Sequence, residues 1–161
     1  MKNFKLITLM SLAFLLTGCL KPPTISKQSS IGNYEYVLIP STNTLSSGSG
    51  GVYGDTYGVY GTSVSKSVNP ADVIQGVLLK KGMVIIPEIK PQLAHKTLIV
   101  NYGESGRRYL AGGLWGYTLE VTIKFLDAKT YETVYSCTAE GQGSTEADDI
   151  REAIGRCLSG L

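Results

Sequence analysis

Tyr117-Thr118-Leu119-Glu120-Val121-Thr122-Ile123-Lys124-Phe125-Leu126 decides the fold class. Tyr117, Leu119, Val121, Ile123 and Phe125 fall on one face of an extended strand, and Thr118, Glu120, Thr122 and Lys124 fall on the other. This period of two predicts a strand, begun at Trp115, with one buried and one wetted face, as antiparallel sheets permit. Asp127-Ala128-Lys129-Thr130 supplies a turn, and Tyr131 to Glu140 returns as the partner strand. Gly141-Gln142-Gly143 ends it. Ser144 or Thr145 then caps a final helix, with Glu146, Asp148 and Asp149 at its positive end. Ile150, Ala153, Ile154, Cys157, Leu158 and Leu161 make that helix's sheet-facing stripe.

Upstream, Thr97 to Tyr102 reads as a strand, and Gly103 to Gly113 as a polar, glycine-rich loop. Asn69-Pro70 opens the best-marked helix, because Asn is a strong N-cap and Pro suits the first helical position. Val73, Ile74, Val77 and Leu78 form its apolar stripe, and Gly82 stops it. Met83 to Ile86 reads as a buried strand ending at Pro87. It is expected to lie parallel to a first strand over Tyr34 to Ile39, as in a βαβ unit. The order is roughly β-α-β-β-β-β-α. The expected fold is α+β, a two-layer arrangement with a mixed sheet of four or five strands and two helices on one face. Residues 33–161 make one domain.

Residues 41–68 differ in composition. Six glycines and three tyrosines are mixed with many Ser and Thr. Val52-Tyr53-Gly54-Asp55-Thr56 is echoed by Val59-Tyr60-Gly61-Thr62-Ser63. Two readings stand: a glycine-rich loop, or an irregular hairpin presenting Tyr53, Tyr57 and Tyr60. Tyrosine offers large contact area at low side-chain entropy cost.

The N-terminus carries an address. Lys2 and Lys5 precede an apolar run to Leu16, and Leu16-Thr17-Gly18-Cys19 follows. The run is too short to span a bilayer and fits an export signal. The four residues fit lipoprotein processing: an apolar residue, two small residues, then a thiol that receives a diacylglyceryl group. Residues 1–18 are expected to be the signal peptide and 19–32 a lipidated tether, with lipid (palmitate among its chains) on Cys19. Two or three acyl chains on one residue make membrane dissociation negligible. The expected location is the cell envelope, by default the outer membrane facing the periplasm.

The 161-residue chain less residues 1–18 leaves 143 residues with 13 basic and 13 acidic side chains. That neutrality argues against an electrostatic nucleic-acid binder. Cys137 and Cys157 remain in an oxidising compartment, where a disulfide or two buried thiols both satisfy the pattern. No CxxC spacing points to metal or redox chemistry. His95 is the single histidine and sits in a Pro/Lys-flanked connector. The acids from Glu140 to Asp149 do not match an oxygen-ligand cation loop. Gly103-Glu104-Ser105-Gly106-Arg107-Arg108 lacks the spacing of a nucleophile elbow. Arg107 and Arg108 are candidates for gripping an anionic partner group. Trp115, among Gly112, Gly113 and Gly116, is either a core plug or a contact residue.

Thr138-Ala139-Glu140-Gly141-Gln142-Gly143-Ser144-Thr145-Glu146-Ala147-Asp148-Asp149-Ile150-Arg151 resembles small lipoproteins of Bacteroides-type bacteria. So do Asn69-Pro70-Ala71-Asp72-Val73-Ile74 and Asn101-Tyr102-Gly103-Glu104-Ser105-Gly106-Arg107-Arg108. The resemblance covers most of residues 34–160 and implies lipidation without an assigned activity. The order of elements is also similar to that of periplasmic accessory lipoproteins that activate cell-wall synthases or assemble secretion pores. The expectation is therefore a membrane-anchored, non-enzymatic envelope accessory or protein-binding module, without cofactor, metal or nucleic acid. Its partner-binding candidates are Tyr53, Tyr57, Tyr60, Arg107, Arg108 and Trp115. The alternative is a small-molecule or glycan-binding lipoprotein using the same loops.

Overall fold

The alternating stretch is a central strand. In the computed structural model, Leu119, Val121, Ile123 and Phe125 are almost wholly buried, while Lys124 is exposed. The structure describes residues 20–55, 58–110 and 116–161, and within 48–64 only the backbone. The expected signal peptide over residues 1–18, the expected lipidation site Cys19, and the binding candidates Tyr57 and Trp115 lie outside the described residues.

In chain order the strands are β1 (Thr24–Lys27), β2 (Tyr36–Leu38), β3 (Leu45–Asp55) and β4 (Gly58–Val68). Helix α1 (Pro70–Lys80) and β5 (Val84–Ile85) follow. The chain closes with β6 (Thr97–Tyr109), β7 (Tyr117–Asp127), β8 (Thr133–Gly141) and α2 (Glu146–Leu158). The main sheet has six strands ordered β1-β8-β7-β6-β2-β5, and β3 and β4 form a sheet of their own. The fold is α+β. The β2–β5 pair is parallel, as a βαβ unit requires, while β6, β7 and β8 pair antiparallel.

The helices begin where the capping residues put them. The Asn69 side chain accepts from the Ala71 N–H, with Pro70 opening α1. The Thr145 side chain accepts from the Asp148 N–H at the start of α2. Ile74 and Leu78 of α1 join Ile150, Ile154 and Leu158 of α2 in one core with Leu98, Val100, Phe125 and Tyr135. Cys137 of β8 and Cys157 of α2 form a disulfide, with Cα atoms 5.5 Å apart. Of the two readings left open by the sequence, the bridge holds, because the apolar face of α2 sits directly over β8.

Three expectations are corrected. Within 41–68, expected either as a glycine-rich loop or as an irregular hairpin, the hairpin reading holds and the loop reading and the irregularity do not: eleven residues of each strand pair without a shift from Leu45↔Val68 to Asp55↔Gly58. Its many small residues hid the period of two, because glycine and serine show no contrast between faces. The loop expected over 103–113 is strand as far as Tyr109, with a register shift between Glu104 and Gly106. Pairing with β7 supplies the order that its polar side chains do not announce. The stretch expected as a tether also contributes an edge strand, since β1 pairs antiparallel with β8 from Thr24↔Thr138 to Lys27↔Tyr135. All four β1 residues are exposed, so no buried face marked it in the sequence. β1 raises the main sheet to six strands, above the four or five expected.

Candidate functional site

One end of the molecule brings Arg107 and Arg108 beside the start of α2 and the end of β8. Gly141 of β8 lies opposite Leu119 of β7, which lies opposite Arg107 of β6. Beyond this row β6 and β7 continue as a short arm, through Arg108 and Tyr109 on one strand and Thr118 and Tyr117 on the other. The Leu110 N–H donates to the Gly116 carbonyl at 2.9 Å, and Gly116 has φ +83°. A left-handed backbone of that kind favours glycine.

The start of α2 abuts the arm. Arg107 Nη2 donates to Glu146 Oε1 at 2.8 Å, and its guanidinium lies 4.9 Å from the Tyr117 ring centroid. The Tyr109 and Tyr117 rings meet edge to face at 6.4 Å. Tyr109 is 67% exposed, an aromatic ring with little cover from the domain. Burial and the nearby Glu146 carboxylate push the Tyr117 phenol above its ordinary pKa.

Arg108 serves a different purpose. Its Nε and Nη2 fork onto the two carboxylate oxygens of Glu140, at 2.7 and 2.6 Å. Glu140 also accepts from the Lys21 backbone N–H at 3.0 Å. It is only 3% exposed. The Arg108 fork, chiefly, holds its carboxyl down at about 2. Arg156 of α2 donates to the Glu140 and Lys21 carbonyls. Arg108 is thus a fastening between β6, β8 and the N-terminal segment.

The β3–β4 hairpin is fixed to α2 at its base. Ser47 Oγ accepts from the Ala147 N–H at 2.8 Å, and Lys66 Nζ meets Asp148 Oδ2 at 2.7 Å. Arg151 Nη2 donates to the Ser67 carbonyl. The order of these contacts gives a direction. Moving from Ser67 to Lys66 moves from Arg151 to Asp148, toward the start of α2 and then past it. Eight further residues of each strand carry the hairpin on to Asp55 and Gly58. Tyr53 and Tyr60 are cross-strand partners in that stretch.

The acids at the start of α2 have partners of their own. Asp148 is held at about 2, chiefly by Lys66 and then Ser144. Asp149 is buried, accepts from the Gly143 N–H, and is raised by burial. Among the described residues no three His, Cys, Asp or Glu side chains group as metal ligands. His95 is exposed in a 3-10 turn over Pro91–Lys96, at the other end of β6. A cleft of about 590 Å³ also lies at that other end, between Tyr34, Tyr36, Met83, Val84 and Leu161. The sequence reading missed it, because its lining comes from segments far apart in the chain.

No family model and no curated protein matches the chain. The chain is similar to a PelC dodecamer variant from Paraburkholderia phytofirmans, at 16% identity, covering 85% of this chain and 93% of that one, with a TM-score of 0.48. A likeness that distant assigns no function.

Proposed function

We propose that the protein is a lipid-anchored envelope lipoprotein that binds another envelope protein through its β3–β4 hairpin and performs no catalysis. One observation carries this reading. The hairpin is a two-stranded sheet of its own, so the outer hydrogen-bonding edge of each strand has no neighbouring strand among the described residues. An unpaired edge is a template for strand addition. The Gly, Ser and Tyr composition of 48–64 suits such adaptable contact. Arg107, above the α2 start, borders the same region, whereas Arg108 is engaged with Glu140.

Photo-crosslinking in cells tests the reading. A photoreactive residue at position 53 or 60 should give a discrete adduct with one envelope protein, and the same group at Lys129, at the far end, should not. Equal adduct patterns at all three positions would sink it. Fractionation of the Cys19→Ser variant tests the anchor separately, because only the lipidated form should stay with membranes.

A second reading, a small-molecule binder, has its own observation in the apolar cleft beside Tyr34 and Met83. A ligand that raises the melting temperature of the wild type and not of Tyr34→Ala would favour it.

A further inference from the structure

Pro40 has no N–H to carry a ladder onward, and β2 stops just before it. β2 pairs with β6 from Tyr36↔Thr97 to Leu38↔Ile99, but β6 runs on to Tyr109. From Val100 onward that edge of β6 has no strand beside it among the described residues. The chain leaving β2 turns away instead, toward the hairpin. The Thr42 hydroxyl donates to Asn69 Oδ1 at 2.6 Å and accepts from the Ala71 N–H at 2.9 Å, which ties this segment to the start of α1. Between β6, the tied segment and α1 a cavity of about 190 Å³ remains. It lies at the carboxyl end of β2, whereas the cleft beside Tyr34 and Met83 borders the amino end.

Ile39, Pro40, Ala71, Ile74 and Val100 give the cavity an apolar wall, and no lining residue carries a charge. Tyr102 also lines it, two residues beyond Val100 and so on the same face of β6. The Tyr102 hydroxyl is buried and has no hydrogen-bond partner. Buried hydroxyls in folded proteins nearly always have one, so an orphan calls for a missing partner. Burial first, then the Glu104 and Glu146 carboxylates, pushes the phenol upward, so it stays protonated and able to donate. The position in the sheet agrees. β2 runs parallel to both its neighbours, β5 and β6. α1 leads from β2 to β5 on one side, and the connector over 86–96 leads back to β6 on the other. Connections that diverge in this way leave space outside the carboxyl ends of parallel strands, where such sheets take their ligands.

We infer that this cavity binds a small uncharged molecule of single-ring size, with an apolar body and one carbonyl or hydroxyl oxygen that accepts from Tyr102. A cavity of roughly 150 Å³ with aliphatic walls holds benzene, which sets the size. An ionic group would find no counter-charge in this lining. A ligand without an acceptor would leave the hydroxyl unpaired, so the hydroxyl selects for the oxygen. The site uses neither the hairpin strands nor the lipid anchor and stands apart from both readings.

Cyclohexanone, which carries the acceptor, and toluene, which does not, test the inference by nuclear magnetic resonance. In protein labelled at its Ala, Ile and Val methyl groups, cyclohexanone should shift Ile39, Ala71, Ile74 and Val100 and reach saturation. Ile25, on β1 at the far edge of the sheet, should not move. Tyr102→Phe should weaken cyclohexanone about five- to tenfold, the weight of one hydrogen bond, and leave toluene as tight or tighter. Equal affinity of cyclohexanone for both proteins overturns the inference, and so does the lack of any saturable shift, which would mean a cavity for water only. Overhauser contacts from the bound ketone to the Tyr102 ring and the Ile74 methyl are read on the wild type alone and do not depend on the variant. Their absence overturns the inference as well.

Discussion

Glu140→Gln should destabilise the protein by an amount that depends on pH. In the folded protein the Glu140 carboxyl sits at about 2, against an ordinary value of 4.5, mainly because Arg108 forks onto its charged form. A folded pKa below the ordinary one means that the unfolded chain binds the proton more readily. The stabilisation is therefore fully present above the ordinary value and is lost as pH falls through the folded one. At about 1.4 kcal/mol for each tenfold difference in proton affinity, the pair contributes about 3 kcal/mol at pH 7. The same linkage leaves roughly 1.5 kcal/mol at pH 3 and about 0.5 kcal/mol at pH 2. Glutamine keeps the shape and removes the charge. Arg108, whose side chain is 36% exposed, stays hydrated in the variant, which brings the expected loss at pH 7 to about 2–3 kcal/mol. Urea denaturation with the disulfide intact, at pH 7 and pH 3, measures it. The gap between wild type and variant should shrink at least by half at the lower pH. A gap independent of pH, or below about 1 kcal/mol at pH 7, would refute the assignment of this stability to the Arg108–Glu140 pair. The Lys21 N–H loses a charged acceptor in the same variant, so trypsin should also cut after Lys27 faster.

Three further outcomes follow from named contacts. Replacing Cys137 and Cys157 together by Ser should cost about 3 kcal/mol, the loop-closure value for a separation of 20 residues, read as a lower melting temperature than the oxidised wild type. Gly141→Ala should cost about 3 kcal/mol or prevent folding, because a Cβ there runs into the Asp149 carbonyl of α2; chemical denaturation or soluble yield checks it. Tyr102→Phe should be neutral or stabilising by up to about 1 kcal/mol, since the Tyr102 hydroxyl is buried without a hydrogen-bond partner; a clear loss of stability in urea would show that the hydroxyl has a partner after all.

Where residues differ strongly in polarity, the chain announces its structure. Leu119 to Phe125 alternates because one face of β7 is core and the other is not. Asn69-Pro70 and Thr145 begin helices because the first backbone N–H groups of a helix need acceptors. Where polarity contrast is absent, the sequence is silent. The β3–β4 hairpin alternates between small residues, and its register comes from backbone pairing and from Ser47 and Lys66 at its base. β1 is exposed along its length and is held by β8 and by the bonds at Lys21. The candidate site was legible in the same uneven way. Arg107 and Arg108 are adjacent in sequence and point to opposite faces of β6, as a period of two demands. One therefore meets Glu146 at the α2 start and the other meets Glu140. A reading that treated them as one basic grip could not separate these roles, because the choice lies with residues more than thirty positions away.

The fastenings around α2 are unequal in strength, and the difference bears on how the arms work. Near its C-terminal end, α2 is joined to β8 by the Cys137–Cys157 bond and by the Tyr135 hydroxyl donating to the Cys157 carbonyl at 2.7 Å. At its N-terminal end it meets the hairpin through Lys66–Asp148 and the β6–β7 arm through Arg107–Glu146, pairs whose side chains are a quarter to two-fifths exposed. Exposed pairs of this kind contribute about 0–1 kcal/mol each, whereas a covalent bridge contributes several-fold more. Local opening should therefore begin where the hairpin leaves α2, while the sheet, α2 and the Lys21 entry point stay together. A hairpin that lifts from its seat exposes more unpaired strand edge without disturbing the core. The weak ionic base then lets the hairpin move relative to α2 while the covalently bridged end of α2 stays fixed.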